Sequence, residues 1–316
     1  MPPPTLSDVA RSYRLFLGRQ VESGLVASQH VATTDSLWSL VERVWASPEA
    51  RRRRIGEAAE AIAGMDDRAA ASPACTPGQL AQMLETVEAD WARRGFGACH
   101  DRLLRDEPRY DPKSLKWDLA RRLAAGAEEA AGLRQRIAET GAALDPAASV
   151  AVFGEHAFRL AGAITAGRYL AVEPGPDAAA VARRAIEAHG LAAAEATTIG
   201  AFRQGARGCD LFYSTMALQY APPPVAYALL GRALEQVAPG GLACFQLACQ
   251  LHDYRFDAEA YLAGDGRAPD GELHALPQHH VLALLERHEF APIEVRPDGR
   301  LGELGVSYVF LARRRS

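Results

Sequence analysis

The segment Cys209–Cys249 leaves few folds open to this chain. It reads CDLFYSTMALQYAPPPVAYALLGRALEQVAPGGLACFQLAC. The runs Leu211–Tyr213 and Leu242–Leu247 suit strands covered on both faces, as in a parallel sheet. Between them Ala226, Leu229, Leu230, Ala233, Leu234 and Val237 recur at helical spacing and form one apolar stripe. Pro239, Gly240 and Gly241 stop that helix and turn the chain back. The spacing predicts one strand–helix–strand unit.

The same alternation runs from Pro146 to the end. Ser149–Phe153 reads as a strand and Arg159–Ala166 as a helix. Tyr169–Val172 is a second strand, followed by a helix over Asp177–Ala188 and a weaker strand near Leu191–Ala196. Ala291–Arg296, a turn at Pro297–Gly299, and Val306–Ala312 predict an antiparallel pair. Strands that alternate with helices predict an α/β fold with a mostly parallel sheet.

Before residue 145 the pattern is helical. Ser36 stands where it caps a helix through Trp38, Leu40, Val41, Val44 and Trp45. Arg51–Met65, Gln79–Arg94 and Ser114–Thr140 are also predicted helices, with a small-residue connector over Asp66–Gly78. All four tryptophans, Trp38, Trp45, Trp91 and Trp117, fall here. They are expected to pack a helical bundle, or to line a pocket under a helical lid. The predicted organisation is a helical region over 1–145, acting as a lid or interaction domain, and an α/β domain over 146–316. Oligomerisation is expected to run through the N-terminal helices.

Composition narrows the function classes. The chain has 316 residues, 48% of them hydrophobic, and a net charge of −4. No overall basic field for nucleic acid is present. Arg51–Arg54 is a short basic run that suits a solvated helix face. The five cysteines form no CxxC pair, which argues against structural zinc. The N-terminal segment MPPPTLSDVARSYRLFLGRQ lacks a signal-peptide apolar core, and no run approaches transmembrane length. A reducing, cytoplasmic setting without membrane contact is the expectation.

Residues 146–316 resemble the class I S-adenosylmethionine (SAM)-dependent methyltransferases. The resemblance is to bacterial small-molecule types with a Leu-Gln-His-Pro-Pro-like segment and a Pro-Gly-Gly-…-Phe-Gln strand. Here these are Leu218-Gln219-Tyr220-Ala221-Pro222-Pro223 and Pro239-Gly240-Gly241 with Phe245-Gln246. The resemblance implies a Rossmann-like seven-stranded sheet, SAM as cofactor, and a small-molecule or sugar substrate. It also implies a cofactor loop at VAVFGEHAFRL, Val150–Leu160, where the family carries Val-Leu-Asp-Phe-Gly-Cys-Gly-x-Gly-Arg-Leu. Val150, Phe153, Gly154, Arg159 and Leu160 match. His156 and Phe158 replace two glycines, and Val152 replaces the usual acid.

The cofactor-binding candidates implied are Gly154, Glu155, His156, Phe158, Glu173, Thr197 and Ser214. Glu173 ends the second strand 19 residues after Gly154, near the spacing at which an acid binds ribose hydroxyls. It also reads as an exposed acid before the Pro174-Gly175-Pro176 turn. The catalytic candidates are Tyr220, where the family often carries His, and His252 after the fifth strand. Tyr220 also reads as a packing residue at a helix start, and His252 as a surface loop residue. His279 and His280 are consecutive and predicted to diverge on a helix, so no metal site is expected. Asp257–Gly271 reads as a mobile insertion over the substrate.

Three readings stay open. The chain is a SAM-dependent methyltransferase, or an inactive methyltransferase-like protein with a binding or assembly role. A nicotinamide enzyme is disfavoured, because no GxGxxG stands at Val150–Leu160.

Overall fold

A computed structural model describes residues 3–53, 71–96, 119–205, 208–264 and 272–316. The chain divides into two compact units, residues 1–68 and 69–316. The described residues of the first include the helices α1 (Leu6–Leu17), α2 (Gly24–Thr33) and α3 (Leu37–Trp45), and residues 48–53 are helical as well. Thr5 and Asp8 form a capping box at α1, and Ser36 caps α3 as its sequence implies. Val9, Tyr13, Ala27, Leu40 and Val44 make a small core of their own. Tyr13 Oη meets His30 Nε2 at 3.0 Å, and Arg19 grips Glu49 through two nitrogens at 2.5 and 2.7 Å.

The tryptophans do not behave as a set. Trp38 is 68% exposed and Trp45 47% exposed, whereas Trp91 is buried in the second unit. The helix predicted over Arg51–Met65 lies mostly outside the described residues, as do Trp117 and part of the Asp257–Gly271 insertion.

The second unit is built on seven strands: β1 (Ser149–Phe153), β2 (Arg168–Glu173), β3 (Ala194–Thr198), β4 (Cys209–Ser214), β5 (Val237–Leu251), β6 (Phe290–Pro297) and β7 (Gly305–Arg314). Their order is β3-β2-β1-β4-β5-β7-β6. The first five run parallel, and β7 pairs antiparallel with both β5 and β6. This is a Rossmann-like α/β sheet of seven strands. The apolar runs became buried strands because both sheet faces are covered. Alternate residues of one strand therefore join different cores.

On one face Phe153, Phe212, Phe245 and Phe310 pack under α4 (Pro77–Arg94), α7 (Ile199–Gln204), α8 (Pro223–Gln236) and α10 (Gln278–Arg287). On the other, Val152, Tyr169, Leu211 and Cys244 pack under α5 (Leu119–Glu139) and α6 (Pro176–Ala188). A short helix, α9 (Ala258–Ala263), follows β5. The unit that holds the sheet begins at residue 69, ahead of the change of sequence pattern near 145.

One predicted helix is absent. Arg159–Ala166 does not form an α-helix; a four-residue 3₁₀ turn, Ala157–Leu160, takes its place. The Arg159 guanidinium donates to the carbonyls of Glu155 and His156, just ahead of the turn, at 3.1 Å each. Helix α5 presses on the same turn: a Cβ at Gly126 would overlap the Arg159 carbonyl.

Candidate functional site

Strand order reverses between β1 and β4, so a ligand crevice is expected at the carboxyl ends of the strands there. The register places Phe153 opposite both Val172 and Ser214, and Glu173 opposite Thr198. Gly154, Glu173, Thr197, Ser214 and the residues after them therefore share one edge of the sheet.

The β1 loop is held from several sides. Glu173, with no exposed surface, turns its carboxylate onto the loop. It accepts from the N–H of His156 at 2.8 Å and from that of Phe158 at 3.4 Å. Burial pushes its pKa up to about 8, against the lowering effect of those two hydrogen bonds. His156 sits at φ 59°, a left-handed conformation that costs a non-glycine residue energy, and it aims its N–H at that carboxylate. The Phe158 ring is 1% exposed and lies in the core beneath α5 and α6. Arg159 also pairs with Glu129 of α5 at 2.7 Å, and Tyr213 Oη donates to the other Glu129 oxygen at 2.9 Å.

Helix α4 closes the adjoining space. Glu155 accepts from the Phe96 N–H at 3.0 Å. The Phe96 ring stacks on Tyr220 at 4.9 Å and meets Trp91 edge-on at 5.3 Å. A Cβ at Gly175 would come within 2.6 Å of the Ala92 Cα, so the turn after β2 lies hard against α4.

The two catalytic candidates are not brought together. Tyr220 is buried in a 3₁₀ turn, Leu218–Tyr220, under Phe96. His252 is exposed in the turn after β5, its N–H donating to the Leu304 carbonyl. Thr197 is half-buried at the end of β3. Ser214 is wholly buried, and its Oγ has no hydrogen-bond partner.

On the β4–β5 half of this edge, sequence reasoning named Ser214, Tyr220 and His252 but missed Gln246. Gln246 is buried on β5; its Oε1 accepts from the Met216 N–H at 3.0 Å, while its Nε2 has no partner. Met216 has φ 50°, a second left-handed non-glycine residue on this edge. Gln219 places Nε2 on Met216 Sδ at 3.1 Å and leaves Oε1 without a partner. The signal was present in Phe245-Gln246, a polar residue that interrupts an otherwise apolar strand. His274 was also passed over. It is buried among Tyr254, Phe256 and Tyr261, and its Nδ1 lies 2.8 Å from the Tyr254 hydroxyl. Burial pushes its pKa down to about 3, so the ring is neutral at ordinary pH.

Among the described residues, no group of three or more His, Cys, Asp or Glu side chains is placed to hold a metal ion. The rings of His279 and His280 sit 4.0 Å apart between centroids, closer than their predicted divergence on α10. Among the described residues, no helix is long and apolar enough to cross a membrane.

No protein-family model matches the chain, and no curated protein matches it in sequence. It is similar to solved SAM-dependent methyltransferase structures. One is magnesium protoporphyrin IX methyltransferase from Synechocystis PCC 6803 with bound S-adenosylhomocysteine (SAH). The identity is 13%, with 73% of this chain and 99% of that chain covered and a TM-score of 0.47. Another is 1,6-didemethyltoxoflavin-N1-methyltransferase from Burkholderia thailandensis. There the identity is 14%, the coverage 80% and 98%, and the TM-score 0.44. A third is the N-methyltransferase NodS from Bradyrhizobium japonicum WM9, at 16% identity, 61% and 98% coverage, and a TM-score of 0.40. Likenesses of this degree carry no chemistry.

Proposed function

We propose that this chain is a SAM-dependent methyltransferase acting on a small molecule or sugar, with its cofactor site at the carboxyl ends of β1–β4. The observation that carries this reading is Glu173. It is an acid at the end of β2, set against the β1 loop beside the point where strand order reverses. The residues present fit an adenosyl cofactor in kind. Glu173 offers a carboxylate to ribose hydroxyls, His156 and Phe158 offer backbone N–H groups, Thr197 stands on the adenine side, and Ser214 on the methionine side. SAM, when bound, supplies an electrophilic methyl group.

The chain's own part is positioning. Glu173 must exchange its loop N–H partners for ligand hydroxyls.

A second reading has its own support. The N–H groups a cofactor would use are already taken by Glu173, and the helix expected to face it is a four-residue turn. On that reading the fold persists without catalysis and the chain serves in binding or assembly.

Calorimetric titration of the purified chain with SAM and SAH separates the two. Saturable binding that Glu173→Ala weakens at least about tenfold, the scale of one lost hydrogen bond, supports the first. Absence of binding to either compound moves the assignment to the second.

A further inference from the structure

Two loops flank the point where strand order reverses, and the same device holds both. Among the described residues, His156, Met216, Asp253 and Glu289 are the non-glycine residues with left-handed φ. His156 stands in the loop after β1 and Met216 in the loop after β4. Each gives its N–H to a side chain of the next strand outward. His156 donates to Glu173 of β2 at 2.8 Å, and Met216 donates to Gln246 Oε1 of β5 at 3.0 Å. Glu173 has been assigned a part in the proposed cofactor site; Gln246 has not.

Packing does not account for a glutamine on this strand. Gln246 is 2% exposed, and its Nε2 has no hydrogen-bond partner. An apolar side chain of the same length fills that place without stranding an amide nitrogen. The bond to Met216 accounts for it. Ser214 pairs with Phe245, so Gln246 lies one residue beyond that pair, level with the loop. A methionine at φ 50° is strained, and such strain persists where the surroundings over-determine it. Gln246 holds the main chain of Met216, and Gln219 Nε2 meets its Sδ at 3.1 Å.

The bond fixes the part of the loop that faces Gly154. A Cβ at Gly154 would meet the Thr215 carbonyl oxygen at 3.5 Å and the Ala217 Cβ at 3.7 Å. Thr215 and Ala217 flank Met216, so the φ of Met216 decides where both stand. The β1 and β4 loops meet there, on the side of β1 away from Glu173 and Thr197, which end β2 and β3.

We infer that Gln246 is a positioning residue: through Met216 it sets the Thr215–Ala217 backbone against which the amino-acid arm of the cofactor lies. This rests on the methyl-transfer reading and deepens it. The adenosine end, over β2 and β3, is outside its reach, so the effect on binding is selective.

Two probes separate the ends. SAH carries the amino-acid arm; 5′-methylthioadenosine keeps the adenosyl thioether and lacks the arm. Each is titrated calorimetrically against the full chain and its variants, with displacement of SAH where direct heats are small. Gln246→Met removes the acceptor and keeps the length of the side chain. It should weaken SAH at least about tenfold, the scale of one lost hydrogen bond, and leave 5′-methylthioadenosine unchanged. In a Met216→Gly chain the left-handed conformation carries no strain, so the same Gln246→Met change should cost less SAH affinity there. Should Gln246→Met not fold, Met216→Val breaks the conformation from the loop side, because a β-branched residue resists positive φ. It should give the same selective loss. Equal weakening of both probes means that Gln246 serves the fold as a whole and overturns the role. An equal cost in the Met216→Gly chain shows that Gln246 does not act through Met216 and overturns it as well. SAH binding unchanged in a folded Gln246→Met chain also overturns it, while the cofactor reading stands. If the native chain binds neither probe, the cofactor reading itself fails and the positioning role falls with it.

Discussion

Glu173 combines two roles that pull in opposite directions. Two backbone N–H groups favour its charged form, and complete burial favours its neutral form; burial wins, and its pKa rises from 4.5 to about 8. A group whose folded-state pKa is raised binds its proton more tightly when folded. Its contribution to stability is full below about pH 4.5 and is lost as pH rises through about 8. Glu173→Gln stays neutral throughout. The stability of the native chain relative to this variant should therefore fall steadily from pH 5 to about 8.5. Urea denaturation at fixed ionic strength across that range reads it, and a difference independent of pH would show that Glu173 is not proton-linked to folding. The acid itself was legible in LAVEP, from its place at a strand end. Its partners were not, because an acid facing a ligand and one bonded to its own loop have the same sequence. The left-handed φ of His156 decides between them, and nothing in the residue types reveals it.

Strands and helices were legible in proportion to how far one face decides their pattern. Leu211–Tyr213, Leu242–Leu247 and the stripe from Ala226 to Leu234 each formed where the period placed them, whereas Val237, counted into that stripe, and the Pro239–Gly241 turn belong to β5. Arg159–Ala166 carries helical spacing as well, yet the chain there forms only a 3₁₀ turn, Ala157–Leu160, against which α5 packs too closely for a side chain at Gly126. Helix α4 was legible as a helix and illegible as a lid on the sheet. Its attachment joins residues far apart in the chain, Phe96 to Glu155 and Arg203 to Glu88, backed by ring contacts that local sequence does not encode. Phe96 is 2% exposed. Phe96→Ala should cost about 3–5 kcal/mol, the range for a buried ring left as a cavity. Phe96→Leu should recover more than half of that. Thermal denaturation of both variants checks it; equal losses would mean that the backbone bond to Glu155, not the ring, holds α4 in place.

The two units differ in how much apolar surface each encloses. Residues 1–68 bury a core centred on five side chains, while Leu15, Leu25 and Trp38 stay about 70% exposed. Residues 69–316 enclose two cores, one on each face of the sheet, with Phe153, Phe212, Phe245 and Phe310 all at 2% exposure or less. Each such ring contributes roughly 1.5–3 kcal/mol of burial, and the parallel strands add backbone hydrogen bonds shielded on both sides. Opening free energy follows buried contact and protected hydrogen bonds, so it should be low in the first unit and highest in β1, β4 and β5. Native-state hydrogen exchange read by peptide mass measures this directly. Amides of α1–α3 should exchange through openings several kcal/mol below those of Leu211–Tyr213 and Ala243–Leu247. Within the second unit, the amides of His156 and Phe158 should exchange slowly for loop residues, because Glu173 holds them. Fast exchange at those two positions while β1 and β2 stay protected would mean that the loop opens on its own. The cofactor edge would then be accessible without unfolding the sheet around it.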